Sequence, residues 1–94
     1  MAPKLDSDAV TRLTELLAAA EHERWAHWQR YLHGRCERRP DGSLVIPADL
    51  AARWERQMET PYAELTEEER KSDRELVERL LPEIEAILAS GLRR

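Results

Sequence analysis

The stretch VTRLTELLAAAEHERWAHWQRYL, Val10 to Leu32, decides the fold of this chain. Wound at 3.6 residues per turn, Val10, Leu13, Leu17, Ala20, Trp28 and Tyr31 fall within one face. Neither proline nor glycine interrupts the run. The spacing therefore predicts one long amphipathic helix. Asp6 or Ser7 can cap its start by accepting hydrogen bonds from the first free N–H groups. The pattern carries to about Leu32, and Gly34 offers a stop.

Downstream, "RCERRPDGSLVIP" changes character. Pro40-Asp41-Gly42 has turn chemistry, because proline presets φ and glycine accepts a positive one. Leu44-Val45-Ile46 is a short β-prone run, so a loop with a brief extended segment is expected. Pro47 suits the first turn of a second helix, whose stripe Leu50, Trp54 and Met58 repeats every four residues and ends near Glu59. "TPYAEL" then makes a tight connection. Thr66-Glu67-Glu68-Glu69 reads as a capping box: the threonine bonds the Glu69 N–H while that glutamate reaches back. The acidic run also complements the positive end of a helix dipole. The third helix should turn Leu76, Val77, Leu80, Leu81, Ile84, Ile87 and Leu88 inward, kink or break at Pro82, and close at Gly91.

These elements fit one small domain over residues 1–94: mainly α, three to four antiparallel helices and a short extended segment. Charged residues make up 36% of the 94, with three glycines and no phenylalanine, a balance that suits surface-exposed helices better than a sandwich or barrel. A chain this short buries roughly 60–65% of its unfolded surface, enough for one modest core. The net charge of -4 comes entirely from residues 48–94, since residues 1–47 carry seven basic and seven acidic groups. An acidic chain argues against a nonspecific nucleic-acid binder, which gains affinity by neutralising phosphates. Cys36 stands alone, so no intrachain disulfide forms and a reducing cytoplasm is the simplest home. "MAPKLDSD" lacks the apolar run of a signal peptide, and no stretch is long enough to span a membrane.

Within the first helix, His22-Glu23-Arg24-Trp25-Ala26-His27 nearly spells the zinc-protease motif HExxH. The motif needs histidines at i and i+4, about 40° apart. Here they are at i and i+5, about 140° apart on a regular helix, so they do not chelate one ion together. His33-x-x-Cys36 has metal-compatible spacing without a second pair of ligands. No metal site is expected. Glu21, Trp25, Trp28 and Leu32 share a flank, with Arg24 beside it. Tryptophans at such spacing are usually core, and a glutamate beside an arginine is usually a partly exposed ion pair.

Two motifs carry a resemblance. Leu17-Ala18-Ala19-Ala20-Glu21-His22-Glu23-Arg24-Trp25 fits the pattern L-A-x-x-x-H-E-x-W. Pro61-Tyr62-Ala63-Glu64-Leu65, followed by Glu67, Glu69, Arg70 and Asp73, fits P-Y-x-x-L, an acidic stretch, a basic residue and an Asp opening a helix. Both are patterns of the ryanodine-receptor repeat, the RyR domain, which the chain resembles from about Leu17 to Leu81. In place of that family's glycine-aromatic segment after the first helix stands "RYLHGRCERRPDGS".

The resemblance implies a small, mainly α module without catalytic residues or cofactor, of the kind found in tandem in calcium-release channels and alone in bacteria and their phages. It implies a ligand site shaped by His22, Glu23, Arg24, Trp25, Tyr62 and Asp73, with an adenine-containing nucleotide as the suspected ligand class. Trp25 or Tyr62 would stack the base, and Arg24 or the Arg35, Arg38, Arg39 cluster would meet phosphates. Related repeats work in pairs, which extends the expectation to a homodimer. Two other classes compete. A protein-binding adaptor would act through its surface alone. A magnesium-dependent nucleotide pyrophosphohydrolase would use Glu68, Glu69 and Asp73, although a facing acidic cluster is hard to find and acidic first turns are ordinary capping.

Overall fold

Asp6 caps the first helix, its carboxylate Oδ1 accepting from the Ala9 N–H at 2.7 Å. In the computed structural model, which describes residues 4–91, this helix (α1) runs Ser7–Arg35. A two-stranded antiparallel hairpin follows, β1 (Glu37–Arg38) and β2 (Leu44–Val45), with Glu37 opposite Val45 and Arg38 opposite Leu44. Next come α2 (Ala48–Glu59), a single 3-10 turn (Tyr62–Glu64) and α3 (Glu67–Gly91). The protein is mainly α, as the periodicity predicts. Among the described residues no helix is long and apolar enough to cross a membrane.

The chain forms two compact units. The first joins the residues up to Arg24 with those from Asp73 onward. There the start of α1 meets the end of α3: the Asp6 N–H donates to the Gly91 carbonyl at 2.9 Å, and Arg12 Nη2 reaches Ser90 Oγ at 3.4 Å. The two helix segments are therefore antiparallel. Ala9, Ala20 and Gly91 are buried, and a Cβ at Gly91 would overlap that of Ala9. Only small residues let the two backbones approach so closely.

The second unit runs from Trp25 to Ser72. Its hairpin turns where the sequence predicts: Gly42 has φ of 90°, its N–H donates to the Arg39 carbonyl at 2.9 Å, and Asp41 Oδ1 accepts from the Ser43 N–H and hydroxyl. Those two bonds, the hydroxyl first, hold the Asp41 carboxyl below its ordinary range. Leu50 and Trp54 of α2 are buried.

Four expectations need correction. Gly34 does not stop α1, which continues to Arg35. Pro82 lies inside α3 without breaking it. The carbonyl it leaves unpaired belongs to Glu78, an exposed residue, so water can take the lost bond. Met58 is 76% exposed and does not complete the buried stripe of α2, because α2 ends one residue later. Most of the predicted inward face of α1 and α3 is also not core: Val10, Leu17, Trp28, Tyr31, Val77, Leu81 and Leu88 are all exposed, and Trp25 with them. Helical spacing marks an apolar face, but whether that face is covered depends on the area of the packing elements.

Candidate functional site

The second unit carries a groove of about 270 Å³. Trp28 and Leu32 of α1 form one wall, and Ala51, Trp54, Glu55, Gln57 and Met58 of α2 the other, with Ile46 between strand β2 and α2. The spacing explains the wall on α2: residues 51, 54, 55 and 58 are three and four apart and so stand on one face. Trp54 is the buried floor. Trp28, Ile46 and Met58 are exposed at the lip.

Three aromatic rings order this wall. Trp28 stacks on Tyr31 with centroids 5.4 Å apart, Trp28 meets Trp54 edge-on at 5.8 Å, and Tyr31 meets Trp54 edge-on at 6.5 Å. Offset and edge-to-face geometries are the favourable ones, so each ring restrains its neighbours. The indoles of Trp28 and Trp54 thus present a preformed surface, while Met58 supplies an adaptable one.

A polar brace fixes the far wall. Gln57 Nε2 donates to Glu69 Oε2, which also receives Arg56 Nη2 at 3.3 Å. The other oxygen of Glu69 accepts from the Thr66 N–H at 3.1 Å, and Thr66 Oγ1 accepts from the Glu69 N–H at 3.2 Å, closing the predicted capping box. Donation from Gln57, then from Thr66, and the charge of Arg56 hold the Glu69 carboxyl down to about 2. One carboxylate thereby caps α3 and ties α2 to it. Beside it, Arg70 Nη1 donates to the Ala63 carbonyl at 3.1 Å and Nη2 to Glu67 at 3.0 Å, anchoring the 3-10 turn.

The six residues singled out by the RyR resemblance divide between the units. His22, Glu23, Arg24 and Asp73 belong to the first, Trp25 and Tyr62 to the second. All six are exposed. Arg24 pairs with Glu21 through two hydrogen bonds and also feels the charge of Asp73; the Glu21 bond chiefly raises its pKa and lowers that of Glu21. Arg35, Arg38 and Arg39 are exposed at the hairpin, where Arg38 Nη1 lies 3.4 Å from the Gly42 carbonyl. Among the described residues, no three His, Cys, Asp or Glu side chains are grouped to hold a metal ion. None of the six lines the groove. The groove's residues were partly visible in the sequence, as the flank Trp28–Leu32 and the stripe Leu50–Trp54–Met58. The contribution of Ile46, next to Pro47, had no periodic signal. No protein-family model, curated protein or solved structure matches this chain.

Proposed function

We propose that the chain is a noncatalytic interaction module whose Trp28–Trp54–Met58 groove takes an apolar side chain of a partner protein. The single observation behind this reading is the chemistry of the groove: six of its eight lining residues are apolar or aromatic, and the other two are Glu55 and Gln57. Its volume admits a large aliphatic or aromatic side chain, below the range usual for drug-sized ligands. A rigid aromatic floor beside an adaptable methionine is the composition of protein-binding hot spots. Glu55 at the wall favours a partner with a basic residue next to its apolar anchor.

The RyR resemblance enters the proposal as a module of this kind, with the adaptor class as its role. Nucleotide recognition has weaker support. The groove lining offers no cation for a phosphate. At Arg24, a phosphate would have to compete with Glu21 and sit near Asp73.

The test is selection of binders from a random peptide library, followed by affinity measurement on Met58→Glu. That substitution is tolerated by the fold because Met58 is 76% exposed. Selected peptides should share an aromatic or Leu anchor with an adjacent Lys or Arg, and Met58→Glu should weaken them by about tenfold or more. Selected peptides whose affinity is unchanged in Met58→Glu and in Ile46→Glu would refute the groove.

A further inference from the structure

We infer that the first unit is half of a four-helix bundle, completed by the same two helix segments of a second copy of this chain. In this unit the small residues Ala9, Ala20 and Gly91 are the buried ones, while its large aliphatic side chains stand beside the helix contact. Val10 is 50% exposed, Leu17 48%, Val77 52%, Leu81 42% and Leu88 36%.

Helical geometry places all five on one side. On α1 the covered face holds Ala9, Leu13, Leu16 and Ala20. Val10 and Leu17 lie about 80° around the helix from its centre. On α3 the covered face holds Leu80, Ile84, Ile87 and Gly91. Val77, Leu81 and Leu88 lie about 50–90° from its centre, in the same rotational sense. Because the segments are antiparallel, the same sense on each helix puts both flanks on the same side of the pair. Arg12 and Ser90, which bond each other, occupy the opposite, polar side. The register set by Asp6–Gly91 and Arg12–Ser90 brings Val10 about level with Leu88 and Leu17 about level with Leu81.

The result is a two-helix layer with one apolar face. Five side chains at these exposures offer about 400 Å² of apolar surface, within the range of the largest patch on an ordinary monomer, a patch that is often functional. A standard interface takes about 800 Å² from each partner, and homodimer interfaces are about 65% apolar, so these five side chains supply most of the roughly 520 Å² of apolar surface that one partner contributes. Self-pairing also suits its charges. Glu21 and Arg24 at the end of the face already pair with each other, so a two-fold axis through the Leu17–Leu81 level leaves neither of them unpaired. Two such layers stacked face to face make the common antiparallel bundle.

Sedimentation equilibrium of the full chain at micromolar and higher concentrations tests this. The expected mass is twice that of the chain. Leu17→Glu and Leu81→Glu should each weaken self-association at least about a hundredfold with helicity retained, because each buries an unpaired charge. Ala19→Glu, on the polar side, should leave the dimer intact. A chain mass at every concentration overturns the inference, as do folded Leu17→Glu and Leu81→Glu proteins that remain dimeric. If the variants unfold, a mixed sample of isotope-labelled and unlabelled wild type decides: intermolecular contacts from the Leu17, Leu81 and Leu88 methyl groups support the bundle, and a dimer without them contradicts it.

Discussion

Glu69 does more than its place in an acidic run suggests. Its carboxylate accepts from Gln57, Arg56 and Thr66, and these donors hold its pKa at about 2 against an ordinary value of 4.5. A carboxyl depressed in the folded state stabilises the fold fully above the unfolded value, and that contribution is lost as pH falls through the folded value. The thermal midpoint should therefore drop as pH is lowered from 4.5 toward about 2. In Glu69→Gln the drop should be shallower, read by circular dichroism melts across that window. An unchanged slope would mean the carboxylate is not held as the structure shows. Half of this arrangement was legible. Thr66 and Glu69 stand three apart, the spacing of a capping box, whereas Gln57 lies twelve residues away on another helix and no local pattern announces it.

At the scale of elements, α1 and α3 show why periodicity finds helices more readily than cores. The boundaries of α2 and α3 came directly from Pro47, Glu59 and the capping box. On α2 the stripe also marked two buried residues, Leu50 and Trp54, but the burial on α1 and α3 was not legible, because their contact uses Ala9 and Gly91, residues that a hydrophobicity pattern ranks low. Gly91 makes this testable. In an open helix, Gly→Ala stabilises by about 0.8–1 kcal/mol. Here the added methyl would meet Ala9, so overpacking should reverse the sign and Gly91→Ala should cost about 1–3 kcal/mol net in denaturant unfolding. A gain in stability would show that the helices do not touch there.

For the whole molecule, the sequence led to an aromatic site, and the structure offers a different set of rings for it. Trp25 and Tyr62 were singled out by motif, and both are exposed. Trp28 and Trp54 belong to separate helices, and only folding of the second unit brings them within 5.8 Å. No linear motif encodes that pairing. The chain has three tryptophans, Trp25, Trp28 and Trp54, so each indole N–H gives its own signal in a nitrogen-correlated NMR spectrum. The most direct measurement is to follow these three signals while titrating a short peptide bearing Leu beside Lys, and separately ATP. The peptide should shift Trp28 and Trp54 and leave Trp25 in place, and ATP should move none of them. A shift of Trp25 with ATP, while Trp28 and Trp54 ignore the peptide, would contradict the groove assignment and return the site to the residues of the RyR motif.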